Sequence, residues 1–508
     1  MAHPAYVLFE DSGDLRAGTV RSETDASLQI DSTSGKRLKI KAAQVLLSFD
    51  TPRAEDLLPA ALALANDTDI GFLWECAPQD EFHFQDLARD YVGRAPGAIE
   101  AAAILLSLQG APVYFQRKGK GRFRPATPET LRLALAGIEK RRQQEQQRDA
   151  WVAQMLSGEL PSALAVLGIR LVVRPDRNAL EVKALEAAAD QRHCSPLRLL
   201  LELGGIPSAY DWHVAAFVDR AFPKGERFRT GAAPVLATDS LPQGPVTAFS
   251  IDDSATTEID DAFSVQVLGD DWVVGIHIAA PALTLTRGHE IDLIARDRLS
   301  TVYAPGIKFT MLPPDWVEAF SLTEGRAVPA LSLYLVVDPA TLQVRQSYTR
   351  VERVTVAANL RYDLIEHLID ETALQDSTLD LPFGAELSRL WHLSGALRHQ
   401  REQVRGRPEP KGRQEIMLVL QGEGAGAHVE RRLRQRDAPL DQIVSELMIC
   451  ANQRWGEWLE SIQHVGIYRS QSMGRVRMST TPSPHEGLGV ARYAWCTSPL
   501  RRYVDLFN

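Results

Sequence analysis

The sequence predicts a multidomain α+β protein, and three observations predict it. A chain of 508 residues with 45% hydrophobic content has room for about three or four separate cores. Near residue 52 the apolar pattern changes from the alternation of strands to the spacing of helices, and near residue 113 it changes back. From residue 246 onward, short apolar strands flank a dense run of carboxylates.

Residues 5–50 alternate over Tyr6–Phe9, Gly18–Arg21, Ser27–Asp31 and Leu38–Ile40, with a turn at Ser34, Gly35 and Lys36. A small β-barrel over 1–52 is the simplest closure. Such a barrel serves packing alone in many proteins and RNA contact in others, and the sequence leaves both open.

Residues 53–126 read as a winged-helix-like domain. Leu57, Leu58, Ala61, Leu62 and Leu64 mark one helix, Phe84, Leu87 and Tyr91 a second, and Ile99, Ala102, Ala103, Leu105 and Leu106 a third. Val113, Tyr114 and Phe115 then open a hairpin whose tip carries Arg117, Lys118, Lys120, Arg122 and Arg124, spaced by Gly119 and Gly121. Cations this dense form either a solvated turn or a phosphate-binding wing, and attraction to phosphate gives the second reading a mechanism. Phe115 and Phe123 flank the cluster, placed to pair across the hairpin or to stack on bases.

Thr127, Pro128 and Glu129 start a charged helix running to Leu156, the first part of a helical and mixed connecting region, 127–229. Thr230 to Pro245, rich in small residues, reads as a linker, so a catalytic domain is expected over 230–508.

A formal charge of −9 excludes a uniformly basic nucleic-acid coat but not local stripes. Cys76, Cys194, Cys450 and Cys496 are far apart and form no CxxC pair, which suits a reducing compartment and argues against a structural zinc. Met1 to Asp14 lacks the basic start and apolar core of a signal peptide, and no apolar run approaches the ~20 residues of a membrane span. The expectation is a soluble, cytoplasmic protein.

Val246 to Ile251 runs into Asp252, Asp253, Glu258, Asp260 and Asp261, and the strands Ala262–Leu268 and Trp272–Ile278 follow around a turn at Gly269. Carboxylates packed this closely raise one another's pKa unless a cation offsets them. Oxygen-only ligation favours Mg2+ or Mn2+ over zinc. An acidic surface loop is the plainer alternative for this segment taken alone.

The segment closely resembles the signature of the RNB catalytic domain of the ribonuclease II and ribonuclease R family, whose four acids fall here on Asp252, Glu258, Asp260 and Asp261. The resemblance continues through Ser300–Gly306 and Met311–Pro313, through Leu360–Asp363, through Ile443–Asn452 (IVSELMICAN), and through Ser479–Asp505. It implies a mixed β-sheet with surrounding helices and a metal-dependent 3′-to-5′ exoribonuclease, a phosphodiester hydrolase of RNA turnover or processing. Single-stranded RNA would be digested processively to nucleoside 5′-monophosphates by a two-metal mechanism.

By the same resemblance Asp252, Glu258, Asp260 and Asp261 hold metal, Asp260 and Arg501 are catalytic, and Tyr303, Tyr362 and Glu446 touch RNA. Arg501 suits the scissile phosphate through its planar fork. Arg502 reads as an ion pair, and Arg469, Arg475 and Arg477 either guide the strand or are structural. Selection of RNA over DNA would rest on ribose hydroxyls. Single-stranded RNA is the expected partner, together with RNA carrying duplex regions and a 3′ overhang if the wing binds; no membrane and no obligate protein partner is implied.

The chain departs from the family pattern in several places. Glu258 stands where the family has aspartate, and Ser445 precedes Glu446 where two glutamates are usual. No aromatic occurs in VRGRPEPKGRQE (404–415), the N-terminal region is not the usual pair of cold-shock barrels, and the customary closing RNA-binding barrel does not follow before Asn508. Two alternatives follow: a catalytically silent RNA-binding relative, and a winged-helix DNA-binding regulator on an RNB-like body. Binding without cleavage marks the first, a sequence-specific shift of duplex DNA the second.

Overall fold

The computed structural model describes residues 5–228, 234, 240–410, 412, 414–435 and 438–508. The chain divides into two compact units, Met1–Gly205 and Ile206–Asn508. The division falls before the boundary expected near 230, because helix Ala209–Ala221 is tied to the second unit: Tyr210 donates its hydroxyl to the Pro305 carbonyl, and Phe217 meets Phe309 at 5.3 Å. Most of the expected linker, residues 230–233 and 235–239 of 230–245, lies outside the described residues.

In the first unit β1 (Tyr6–Asp11), β2 (Asp14–Thr24), β3 (Ser27–Ser32), β4 (Arg37–Lys41) and β5 (Val45–Phe49) form an antiparallel sheet in the order β4-β3-β2-β1-β5. The alternation that predicts these strands also sorts their faces. Val7, Phe9, Leu28, Ile30 and Ile40 make one small core, while Leu8, Ala17, Leu46 and Phe49 join the helical core that follows. In hydrogen-bond terms the expected barrel is an open sheet. Its two edges, β4 and β5, are only five residues each, and a single 3-10 turn, Ala42–Gln44, joins them.

Four helices follow where three were expected, Ala54–Asn66, Ile70–Glu75, Phe84–Val92 and Ala98–Gly110; the additional one is the six-residue Ile70–Glu75, capped by Asp69. The hairpin is present as β7 (Phe115–Gly119) and β8 (Arg122–Pro125), with β6 (Phe82–His83) on the far side of β8. Its tip turns through Gly119, Lys120 and Gly121, all at positive φ. A Cβ at Gly121 would lie 2.8 Å from the Phe84 ring, so glycine is required there by space as well as by backbone. Helix Pro128–Leu156 starts on the Thr127 cap and buries only Leu131, Val152 and Met155, which leaves its charges solvated.

The second unit is built on a closed barrel of β9 (Gln243–Asp252), β10 (Asp261–Leu268), β11 (Asp271–Ala279), β14 (Ala327–Val337) and β15 (Val344–Arg361). Its one parallel pair, β15 with β9, closes it and makes the sheet mixed. Phe263, Ile276, Ile278, Leu333 and Leu335 meet helices Gly384–Arg405 and Pro439–Ser461. Residues offset by one point into the barrel, where His277 bridges Ser264 at 2.9 Å and Ser332 at 2.8 Å. Three hairpins stand off the barrel: β12 (Val302–Ala304) with β13 (Ile307–Phe309), β16 (Gln414–Gln421) with β17 (His428–Gln435), and β18 (Tyr468–Ser472) with β19 (Arg475–Ser479). No helix among the described residues is long and apolar enough to cross a membrane.

Candidate active site

Asp252 ends β9, Asp261 begins β10, and the register sets Arg361, the last residue of β15, beside Asp252. The acidic run is therefore the connection across one rim of the barrel. It is held rigidly. Arg361 donates to the Asp253 carbonyl at 2.9 Å, Tyr362 donates its hydroxyl to Asp253 Oδ2 at 2.7 Å, and Asp363 accepts from the Ser254 amide and hydroxyl at 2.9 Å each. Ile259 is buried and its amide donates to Ser321 Oγ at 2.9 Å. The LRYD segment thus works as a clamp on the acidic loop.

The closing segment reaches this rim from the other end of the chain. Leu500 donates its amide to Asp260 Oδ1 at 2.8 Å, and Arg501 donates Nε to Oδ2 of the same carboxylate at 2.5 Å. Asn452, on helix Pro439–Ser461, secures the approach by accepting from the Cys496 amide at 2.8 Å and donating to Thr497 Oγ1 at 3.2 Å. Thr301 donates its amide to the Arg501 carbonyl at 2.8 Å, which sets Tyr303 next to that arginine.

Tyr303 is 60% exposed, and its hydroxyl pKa is pushed up to about 12 by desolvation and by the charge of Glu258. Its cross-strand neighbour Lys308 donates Nζ to Glu258 Oε2 at 2.6 Å and to Thr257 Oγ1. Sequence reasoning did not single out Lys308. The signal for it was a lone cation between Ile307 and Phe309, on the strand facing Tyr303.

Burial dominates the electrostatics. Asp260 is completely buried, and desolvation raises its pKa to about 6 against the opposing pull of Arg501 and the Leu500 amide. Asp252 and Asp261 are raised as well, first by desolvation, and the charge of Asp252 raises Asp261 further. Desolvation opposes the charge on Arg501, but Asp260, Tyr303 and Asp261 overcome it and raise the guanidinium above its ordinary value.

The four acids are gathered at one rim, but two are already committed, Glu258 to Lys308 and Asp260 to Arg501. Consistent with this, no group of three or more His, Cys, Asp or Glu side chains among the described residues is arranged to hold a metal ion. Asp252 Oδ2 and Glu258 Oε1 are buried without a hydrogen-bond partner; burial raises both Asp252 and Asp261, and the charge of Asp252 raises Asp261 further. An oxygen-seeking divalent cation fits the Asp252–Asp261 pair, because it would satisfy the orphaned atom and relieve the repulsion.

Several of the other expected residues are engaged in contacts of their own. Tyr362, besides its bond to Asp253, has the Arg434 guanidinium over its ring at 4.0 Å, so one face is covered. Glu446 is buried in a bidentate ion pair with Arg401. Arg502 pairs with Asp505 at 2.6 Å. Arg469 lies over Trp495, while Arg475 and Arg477 are exposed on β19. In the first unit all five hairpin cations are exposed; Arg117 pairs with Glu10, and Arg122 with Glu81 at 3.6 Å. Phe115 and Phe123 are fully buried against Phe82 of β6 and sit opposite Pro125 and Arg117 in the hairpin, so they pack in the core and neither pair with each other across it nor lie open for stacking on bases.

A five-stranded barrel whose acidic rim is met by an arginine from a distant closing segment corresponds to the RNB domain, whose family model matches residues 244–474 and 470–508. The chain belongs to this family. It is 25% identical over 467 residues to the uncharacterized ribonuclease sll1290 of Synechocystis sp., covering 82% of this chain and 66% of that one. To exoribonuclease 2 of Aeromonas hydrophila it is 27% identical over 332 residues, covering 54% of this chain and 48% of the other. The chain thus spans about half to two thirds of the length of these curated relatives. The crystal structure of an active-site mutant of the Dss1 exoribonuclease from Candida glabrata superposes with a TM-score of 0.58 at 15% identity, covering 100% of this chain and 83% of that one, a likeness of fold.

Proposed function

We propose that the chain is a 3′-to-5′ exoribonuclease that shortens single-stranded RNA processively to nucleoside 5′-monophosphates in the cytoplasm, with Mg2+ or Mn2+. The observation that carries this reading is the fully buried Asp260 carboxylate holding both the Leu500 amide and the Arg501 guanidinium at an acidic rim. With Nε on Asp260 and Nη2 on Ser498 Oγ at 3.3 Å, Arg501 keeps N–H groups of its Nη1 side for a phosphate. Tyr303, exposed and adjacent, offers a ring face to the terminal base. A divalent cation at Asp252 and Asp261 would supply Lewis-acid activation of the attacking water. The exposed hairpin cations of the winged-helix-like region, residues 53–126, would hold the backbone of RNA with duplex regions and a 3′ overhang.

The test follows a 5′-labelled single-stranded RNA with Mg2+ or Mn2+, beside a DNA control and Asp260→Asn. Stepwise shortening from the 3′ end, absent with DNA and lost in the variant while RNA binding persists, is expected. Internal cuts or shortening from the 5′ end would overturn the reading. A second reading, an RNA-binding protein that does not cleave, is favoured by the neutralisation of Glu258 by Lys308; retention of RNA without shortening in either metal would establish it.

A further inference from the structure

We propose that Lys308 occupies the place of a second metal ion, so that the acidic rim takes one divalent cation and completes its positive charge with a lysine. The inference deepens the exoribonuclease reading and rests on it. Four carboxylates meet at the rim, Asp252, Glu258, Asp260 and Asp261, and two are matched by cations of the chain itself. Arg501 sits on Asp260, and Lys308 on Glu258 at 2.6 Å. Asp252 and Asp261 form no ion pair among the described residues, and Asp252 Oδ2 is left without a hydrogen-bond partner, which reserves these two carboxyls for one divalent ion.

The geometry supports an active position for Lys308 over a surface ion pair. Glu258 is only 1% exposed, so its charge is desolvated and the lysine beside it is firmly held. Thr257 Oγ1 accepts from the same Nζ and donates to Glu258 Oε2 at 3.1 Å, which fixes the ammonium from a second side. Lys308 lies across from Tyr303 in the β12–β13 pair, and the Tyr303 hydroxyl feels the charges of Glu258, Arg501 and Asp260. The ammonium therefore stands on the rim on the side where the terminal nucleotide would stack. An ammonium has three N–H donors, and two are engaged here, which leaves one for a phosphate oxygen. The extra methylene of Glu258, relative to the aspartate its resemblance would place there, lengthens the side chain toward this lysine.

The test counts ions, without RNA, on the full chain. Mn2+ is titrated and followed both by calorimetry and by the electron paramagnetic signal of free Mn2+. The wild type should bind one ion per chain, weakened at least about tenfold in Asp252→Asn. Lys308→Met frees the Glu258 carboxylate and should bind a second ion. The neutral pair Glu258→Gln with Lys308→Met should return to one, with affinity within about threefold of the wild type. Two ions on the wild type, one ion on folded Lys308→Met, or loss of binding in the double variant each overturn the proposal; if Lys308→Met does not fold, the wild-type count and the double variant decide it. No ion bound by the wild type at millimolar Mn2+ would overturn the metal-dependent reading itself, whereas two would overturn the lysine substitution alone.

Discussion

The molecule carries two strings of like charge of similar density, the carboxylates of 252–261 and the cations of 117–124, and they fold into opposite situations. Glu258, Asp260 and Asp261 are buried, and partners from β13, β15 and the closing segment hold the loop and its acids. The five hairpin cations are all exposed, and beneath them the buried rings of Phe115 and Phe123 do the packing. Water and salt disperse the second string at little cost. The first is held by the arginine and lysine that pair with Asp260 and Glu258 and by the rise in pKa of its buried acids, which makes burial, more than charge density, the property that marks chemistry.

The largest effect is expected from breaking the rim at Arg501. Arg501→Lys keeps the charge and loses the fork, so it cannot hold Asp260 and a phosphate in one plane. Hydrolysis should fall at least about 100-fold in single-turnover assays, with RNA affinity within a few-fold. Arg501→Met leaves Asp260 without its cation in a buried site. Because that carboxyl already titrates at about 6, it takes up a proton in place of remaining charged, and the loss should sit near about 3 kcal/mol in urea denaturation. Single-turnover rates unchanged in Arg501→Lys would remove Arg501 from the reaction and leave it a fastening for the rim.

A smaller effect separates the rim from the barrel interior behind it. His277 is completely buried, and desolvation pushes its pKa down to about 3 from 6.5. Unlike the Asp252 carboxylate, both its ring nitrogens have partners, Ser264 and Ser332. Above pH 6.5 the ring is neutral in folded and unfolded chains alike, and the stabilisation is fully present. As pH falls below 6.5 the unfolded chain gains a proton that the folded chain refuses, so stability is lost, by about 2 kcal/mol between pH 6.5 and pH 5. Urea denaturation at both pH values should show this slope in the wild type and a shallower one in His277→Gln. Equal slopes would mean that His277 is charged in the folded barrel.

Local patterns were legible in the sequence, and pairings across long separations were not. Alternation located β1 to β4, the Thr127 cap located the long helix, and the turn at Gly269 located the β10–β11 hairpin, because each is decided within a few residues. Closure of the barrel depends on β15 pairing in parallel with β9, more than 100 residues away in the sequence, and no local signal carries it. The family resemblance named the acids and Arg501, but not that Glu258 would meet Lys308 or that Glu446 would be taken by Arg401. The aromatic residues divide the same way. Tyr303 is open because it sits on a two-stranded hairpin, whereas Phe115 and Phe123 are closed because β6 brings Phe82 against them.

The smallest effect is expected at the hairpin tip, and it sharpens the contrast with the rim. Lys118, Lys120 and Arg124 are exposed, while Arg117 and Arg122 each already meet a carboxylate. Replacing the first three with glutamine should leave the melting temperature unchanged, since these side chains are exposed. If the tip holds phosphates, the same variant should bind 3′-tailed duplex RNA about tenfold more weakly at low salt, and the slope of log affinity against log salt should fall by about 2. Replacing Arg117 and Arg122 should change the slope less, because releasing Glu10 and Glu81 offsets part of the gain from each phosphate contact. A slope identical to that of the wild type in the triple variant would make the tip a solvated turn whose charge density carries no binding.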